Sequence, residues 1–540
     1  MTLFTTYSYG QTPTTRPVAP DKEVAAISGA NLGNPENKVV ADAPKSDDVD
    51  AQIAALKAEN ADVREQLGKL LEIVERLQKK LESPPTANAN ISSPPSTADA
   101  AARAADVAKI PLTGSPKAGT QSPASDAANG SSQSKSIVRQ FVEERYQDGI
   151  VIWKTPDEAK IPFALKFNIN TQFRYLNTLN SDDTFVDHLG NVRAVNRRND
   201  LTVNRSMFAL SGYIFDKRLQ YSYLVWTAAG AASIAVAGSI GWRFNRAFTL
   251  TAGYNGAPGS RTLAGTFPFF TGVDRSMSDN FFRPGFSQGI WATGEPVKGL
   301  YYQVMLGNGL NQLNVSAFKF DTNLMVSGSA WWEPLGEYGE PGKARHMYDD
   351  YFAKEKTRIR IGTGFTISPG EDRFSNIEAV NPENTALYNS DGVLTFSTGA
   401  FAPGVTVDKA DYKMWAIDGG IKRKGLAVNG QYYMRWVDNF VADGPIPLTH
   451  MFDHGFELFG SYFIVPRKLM AYARTSMVFG HFNNSWEYSG GVKWHFLPTE
   501  RLWLQGEVMR VNRSPYSGAF TPYSAGLNGW VPMIQTVLAF

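Results

Sequence analysis

Residues 163–175, FALKFNINTQFRY, decide the fold class of this chain. Their odd-numbered positions carry phenylalanine, leucine, isoleucine, threonine and tyrosine, whereas the even-numbered positions carry alanine, lysine, asparagine, glutamine and arginine. A period of two belongs to a β-strand, because successive side chains of a strand point to opposite faces. Ordinary strands span about five or six residues, and this longer run suits a strand that crosses a bilayer at a tilt. The segment therefore predicts a transmembrane β-strand.

The same alternation recurs throughout the later part of the chain. Trp486 and Trp494 share one face of a second run, and Arg358 and Arg360 alternate with isoleucines in a third. Long strands expose hydrogen-bonding edges unless their sheet closes on itself. We therefore expect residues 136–540 to form an all-β, antiparallel transmembrane β-barrel of about 16 strands.

Residues 219–242 carry no charge, which raises the alternative of a membrane-spanning helix. The stretch is rich in serine and glycine, and Ile234, Val236 and Ile240 stand at alternating positions. This pattern favours two strands joined by a loop.

The composition excludes several classes of function. The 540 residues include no cysteine, which excludes disulfide scaffolds, thiol catalysis and cysteine-ligated metal sites. Lysine and arginine number 53 against 51 acidic residues, and the net charge of +2 is too small for binding a nucleic-acid backbone. Only Phe4, Tyr7 and Tyr9 among the aromatic residues precede position 135. The later part of the chain alone has the composition of a large fold.

The first 135 residues divide into three parts. Residues 1–50 lack an apolar period and are expected to be disordered, with residues 1–11 resembling the remnant of a secretory signal. Residues 84–135, rich in proline, serine and alanine, are expected to be a flexible linker. Residues 51–83 follow a heptad pattern that predicts a coiled-coil helix, with a single amphipathic helix as the alternative. The seam positions are Ile53, Leu56, Asn60, Val63, Leu67, Leu70, Val74, Leu77 and Leu81.

The chain ends in WVPMIQTVLAF, an alternating strand with Phe540 last, which resembles the C-terminal signature of bacterial outer-membrane barrels. Residues 163–175, 204–223 and 250–290 follow one another as the first strands and third loop do in one family of such barrels. The region beyond about residue 140 thus resembles the phosphate-selective porin O and P family. This resemblance implies a trimeric outer-membrane channel of about 16 strands, with a long third loop that folds inward. Some members of the family also carry an N-terminal coiled coil.

The resemblance also implies an anion site inside the barrel. Arg205 matches the second of two adjacent family arginines, but Asn204 stands in the first position. Residues 255–285 contain three arginines and no lysine, although the family's third loop uses lysines. We therefore expect a weak general anion preference without a tight phosphate site, and salt bridges of the arginines with Asp274 and Asp279 are the alternative. The expected pore-lining residues are Arg205, Arg261, Arg275, Arg283, Lys166, Arg174, Arg358 and Arg360.

No enzyme motif has the context that its chemistry requires. Residues 285–289, GFSQG, fit G-x-S-x-G, but a nucleophile elbow joins a strand to a helix and this motif enters a strand. Residues 336–344 lack the spacing of a P-loop, and the six histidines show no metal-binding spacing. We predict neither catalysis nor a cofactor or metal.

Two functions remain open at this point. The first is a passive, water-filled porin of the bacterial outer membrane, surrounded by its lipid. Such a porin would form a homotrimer, pass small anionic or neutral solutes, and carry its coiled coil in the periplasm. The second is a structural tether, in which the barrel is an anchor and the coiled coil binds an envelope partner. Lumen-facing lysines and arginines would bias the porin toward anions.

A peptide of residues 51–82 should associate as parallel helices, three of them if the barrel is trimeric. Sedimentation equilibrium measures the association. A peptide that stays monomeric at high concentration contradicts the coiled coil. A variant with glutamate in place of Leu67 and Leu70 supplies the monomeric control.

Overall fold

The computed structural model describes Tyr146 and residues 149–540, except 229–232, 264–267, 313–314, 340–345, 379–385 and 498. The predicted disordered segment, coiled coil and linker lie outside the described residues. Sixteen antiparallel strands pair in chain order and close into one barrel. The expectation of an all-β barrel of about this size is confirmed.

Nineteen strands occur among the described residues. Sixteen of them form the barrel, β1 is an additional strand beside β2, and β3 and β4 form a separate hairpin. Their bounds are β1 Ile150–Lys154, β2 Phe163–Asn177, β3 Thr184–Val186, β4 Val192–Ala194, β5 Asn199–Ile214, β6 Asp216–Ala228, β7 Ser233–Arg243, β8 Thr249–Gly256, β9 Phe286–Val297, β10 Leu300–Gly307, β11 Met325–Trp332, β12 Arg358–Asp372, β13 Val407–Arg423, β14 Leu426–Ala442, β15 His450–Val465, β16 Leu469–Phe479, β17 Asn484–Trp494, β18 Leu502–Asn512 and β19 Gly529–Ala539. The uncharged stretch 219–242 thus forms parts of two strands, as its alternation predicts.

The barrel closes between β2 and β19. These strands pair antiparallel, with Met533 opposite Leu176. The final residue extends the pairing, because Ile169 and Phe540 exchange backbone hydrogen bonds of 2.8 and 2.7 Å. β1 pairs with the part of β2 that β19 leaves uncovered. The terminal strand therefore completes the sheet and leaves no open edge at this position.

The faces assigned from the alternation are correct for β2. Gln172 and Arg174 lie inside the barrel at 2% and 0% exposure, whereas Phe173 on the outer face is 47% exposed. On β5, a bulge opposite Gln172 and Phe173 leaves both Asn204 and Arg205 buried inside. A bulge changes the direction in which a side chain points. Strict alternation would turn only one of these two neighbours inward, and the bulge turns both inward.

The outer surface is apolar in the middle and aromatic at its ends. Val492 on β17 and Ile534 on β19 point outward and are about half exposed. Trp486 and Trp494 stand near the two ends of β17. The segment from one to the other has nine residues, both tryptophans included, and strands of about 9–11 residues cross the hydrocarbon core at a tilt. Aromatic girdles of this kind are typical of outer-membrane barrels. No helix among the described residues is long and apolar enough to cross a membrane.

One rim of the barrel carries mostly short connections, and we call it the turn rim. Lys424 and Gly425 join β13 to β14 there, and both have positive φ angles of 50° and 84°, as a type I′ hairpin turn requires. One connection at this rim, loop 333–357, is long. The opposite end is the loop rim, where the long connections are residues 178–198, 257–285, 308–324, 373–406 and 513–528.

Val508→Arg places a charge on the lipid face of β18, opposite Gly490 and thus midway between the two tryptophans of β17. The free energy of unfolding from lipid vesicles should fall by roughly 2–4 kcal/mol, the cost of an arginine near the bilayer midplane. Urea titration measures this loss. Gln220→Arg is the control, because Gln220 faces the interior cavity on β6. Equal losses in both variants would contradict the assignment of faces.

Candidate solute pathway inside the barrel

Loop 257–285, which joins β8 to β9, folds into the barrel. Its described residues are almost all buried, and it contains the short helix Met277–Phe282. Ser276 caps this helix, since its Oγ accepts a 3.0 Å hydrogen bond from the Asp279 backbone N–H. The third loop on the loop rim is therefore inward-folded.

Three carboxylates on the inner wall hold the backbone and side chains of this loop. Glu507 on β18 accepts a 2.6 Å hydrogen bond from the Val273 N–H, and Glu487 on β17 accepts a 2.9 Å bond from the Met277 N–H. Glu457 on β15 contacts a serine hydroxyl of the loop. All three carboxylates are at most 3% exposed. Hydrogen bonds to charged acceptors are stronger than neutral ones, and they fix the loop against this side of the wall.

Asp274, in the middle of the loop, joins two wall arginines of the predicted set. Arg174 Nη1 and Arg205 Nη1 donate to its Oδ2 over 3.2 and 3.0 Å. A third arginine, Arg474, donates to the Asp274 carbonyl over 2.7 Å and pairs with Glu507 at 2.8 Å. The Asp274 side chain is fully buried. Arg174 and Arg205 are thus brought together in a buried salt-bridge cluster.

The predicted arginines of the loop are also buried. Arg275 Nε lies 3.7 Å from Asp279 Oδ2, and Arg261 Nη1 lies 3.7 Å from Asp418 Oδ1 on β13. Burial raises the pKa of Asp279, and the positive charges of Arg275 and Arg283 oppose that rise. The salt-bridge alternative thus describes the positions of Arg205 and Arg275. Their contribution to anion selectivity stays a prediction.

The remaining predicted residues are separated from this cluster. Arg360 on β12 pairs with Asp418, with 2.7 Å between Nε and Oδ1. Arg358 lies at the turn rim and contacts the Leu335 carbonyl. Lys166 lies on β2, as Arg174 does, but nearer the turn rim, where it faces an open cavity. Six of the eight predicted residues, all of them arginines, are thus buried inside the barrel, whereas Arg358 lies at the turn rim and Lys166 at the cavity wall.

The cavity has a volume of about 610 Å³ and lies along β2 and β5–β9. Lys154, Lys166 and Lys217 line it with Asp157, whose Oδ1 lies 2.8 Å from Lys217 Nζ. Lys154 and Lys217 were not predicted from the sequence. The only indication that they line the cavity was that each lies next to a segment of alternating apolar and polar residues. Much of the remaining lining is small or polar, including Ser211, Gln220, Ser222, Ser239, Gly241 and Thr251.

Apolar side chains fill the interior near the loop rim. Phe396 and Phe401 come from the loop between β12 and β13, and Leu527 comes from the loop between β18 and β19. These residues are at most 1% exposed and belong to one apolar cluster that also includes Met277 of the inward loop. The described interior thus combines a packed part with an open part.

The G-x-S-x-G segment runs directly into β9, as expected. Its serine, Ser287, accepts a 3.1 Å hydrogen bond from the Asn308 backbone N–H. Within the described part of the chain, no group of histidine, aspartate and glutamate side chains could hold a metal ion.

No family model and no curated protein matches this chain. Among solved structures, it is similar to an anion-selective porin from Comamonas acidovorans, with 11% identity over 70% of this chain and 100% of that chain and a TM-score of 0.42. It is also similar to Pseudomonas putida OprB, with 9% identity over 75% and 96% of the two chains and a TM-score of 0.41. Salmonella typhi OmpF, solved in complex with daunomycin, gives 10% identity over 72% and 100% and a TM-score of 0.43.

These likenesses are too distant to identify a solute for this chain. Each TM-score is below 0.5, and each identity is below 12%. The resemblance to the phosphate-selective porin O and P family stays a prediction, since no family model matches.

Asp274→Asn removes the charge that compensates two buried arginines. The free energy of unfolding should fall by roughly 3–5 kcal/mol, the usual cost of a buried charge without its partner. Urea titration measures the loss, and trypsin should then cleave at the arginines of the released loop. Asp157→Asn is the control and should change stability far less, because its lysine pair is exposed. An Asp274 variant as stable as this control would contradict the role of the cluster.

Proposed function

We propose that this chain forms a passive channel across the bacterial outer membrane. The observation that carries this proposal is a closed barrel with an apolar belt outside and polar side chains inside. A sheet crosses lipid only when all its backbone groups are paired, which closure provides. The cavity along β2 and β5–β9 supports solute passage on that side of the barrel.

We further propose that the channel weakly prefers anions and also admits neutral solutes. Three lysines and one aspartate line the cavity, and low-dielectric walls strengthen the effect of such fixed charges. The buried arginines contribute less, because Asp274, Asp279 and Asp418 neutralise them. Salt screens exposed charges over about 8–10 Å, which keeps the preference small. This arrangement favours general anion attraction over a tight phosphate site.

The assembly of the channel is proposed from the sequence. The heptads of residues 51–83 support self-association, and the resemblance to trimeric porins suggests three copies, with the coiled coil in the periplasm. The barrel begins and ends at the turn rim, since β1 and Phe540 both lie there. Short turns of outer-membrane barrels lie on the periplasmic side, so the turn rim would face the periplasm. A tether to an envelope partner through the same coiled coil stays the alternative.

Planar-bilayer recording tests the channel itself. The purified full chain should give discrete, ohmic conductance steps. An inserted barrel without any steps would contradict the channel and favour the tether.

Reversal potentials in a KCl gradient test the proposed selectivity. The wild type should prefer chloride weakly, and Lys154→Gln with Lys166→Gln should move the potential toward cation preference, because both residues line the cavity. Lys468→Gln removes a charge in the turn between β15 and β16 and serves as the control. Cation preference in the wild type, or equal shifts in the cavity variant and the control, would contradict the assignment.

A further inference from the structure

The wall of the cavity becomes apolar toward the loop rim. On β6, Gln220 and Ser222 line the cavity. Because every second residue of a strand faces the same side, the next two inward residues of β6 are Leu224 and Trp226. The pairing of β6 with β7 runs through this segment without a bulge, so the alternation is not interrupted. The inward face of β6 therefore changes from polar to apolar along the barrel.

The strands on both sides of β6 change in the same way. On β7, Ala237 and Ala235 follow Ser239 on the inward face. On β5, Met207 and Ala209 face inward because they lie opposite inward residues of β6. We call the resulting surface the apolar stripe. Its residues are Met207, Ala209, Leu224, Trp226, Ala235 and Ala237.

Part of the apolar stripe is accessible from inside the barrel. Met207 and Leu224 pack against the buried members of the stripe and are themselves only partly buried. Because both side chains point inward, their exposed parts face the lumen. An apolar surface in contact with water gains free energy when an apolar group of a solute covers it.

Aromatic rings adjoin the apolar stripe. The ring centres of Trp226 and Phe286 lie 5.7 Å apart, and Phe286 stacks with Tyr254 at 6.0 Å. Trp291 on β9 lines the cavity itself. Aromatic rings attract one another in edge-to-face and offset arrangements at such distances. This part of the wall therefore suits a solute with an aromatic ring.

Lysines lie on the turn-rim side of the apolar stripe. Lys154 and Lys166 line the cavity. Lys166 lies opposite Ser211, which in turn lies opposite Ser222 on β6. Lys166 is therefore two strand spacings, roughly 10 Å, to the side of Leu224 and one same-face step, roughly 7 Å, nearer the turn rim. The length of a lysine side chain and that of a small aromatic acid together cover this separation.

We propose that the open side of the channel binds small aromatic carboxylates as they pass, with the ring on the apolar stripe and the carboxylate toward Lys154 and Lys166. The ring leaves water when it covers the stripe. The carboxylate, which is ionised at pH 7, stays at the end of the site that carries the lysines. Chloride and phosphate match only the lysines. This inference rests on the proposed channel function and selects one class among the anions that the channel admits.

Block of the chloride current by three added solutes tests the site in the full chain. Acetate has the carboxylate without the ring, and phenylacetamide has the ring without the charge. Phenylacetate, which has both, should halve the current at a concentration roughly tenfold below that of acetate, because its ring covers apolar surface. Phenylacetamide should need a concentration roughly two- to fivefold above that of phenylacetate, since it lacks the attraction to the lysines.

Variants of the apolar stripe make the test specific. Leu224→Asn with Met207→Gln makes the stripe polar with little change in volume. This double variant should raise the half-blocking concentration of phenylacetate roughly five- to tenfold and leave that of acetate near the wild-type value. Val225→Thr is the matched control, because Val225 follows Leu224 but faces lipid, opposite Phe208. If the double variant fails to fold, the comparison of the three solutes in the wild type still decides.

A second measurement separates the site from the channel. Saturation-transfer NMR of the full chain in detergent detects bound phenylacetate without any conduction. A barrel that conducts KCl but binds phenylacetate no better than acetate supports the channel and overturns the aromatic site. A barrel that binds phenylacetate but gives no conductance steps supports the site and contradicts the channel. Equal effects of Val225→Thr and the stripe variant would also overturn the site.

Discussion

The burial of opposite charges between the barrel wall and loop 257–285 is the interaction on which the interior depends. Asp274 lies between Arg174 and Arg205 with its side chain wholly removed from solvent. An unpaired charge in such a place would be costly, and each partner therefore restricts where the others can be. Because Asp274 is on the loop and both arginines are on the wall, the cluster determines where the loop lies as well as how stable it is.

This constraint divides the barrel into two sides. Large charged side chains on β15–β18, among them Glu457, Glu487 and Glu507, reach the loop and exclude water there. On β7 and β8 the residues that line the cavity are small, namely Ser239, Gly241 and Thr251, and they do not reach across to a loop. Side-chain size thus decides which side of the barrel is packed and which side stays open.

The strands were predictable because their signal is local. Alternation over residues 163–175 depends only on neighbouring positions, and it gave both the strand and its inward face. The partners of the inward arginines were harder to predict, since Arg174 and Asp274 are far apart in the chain. The bulge that turns Asn204 inward also depends on the register of β5 against β2. Pairings between distant segments have no counterpart in local periodicity.

The position of loop 333–357 could not be predicted from local periodicity either. In the structure one strand ends at Trp332 and the next begins at Arg358, but the length of a loop alone does not place it inside or outside a barrel. Its position follows from inward polar groups, such as Asn429, that satisfy its backbone and side chains. Burial costs such a loop less free energy, because its polar groups find hydrogen-bond partners inside the barrel. The two inward loops therefore follow one rule: the wall supplies hydrogen-bonding and charged partners, and the loop that matches them fills that side of the barrel.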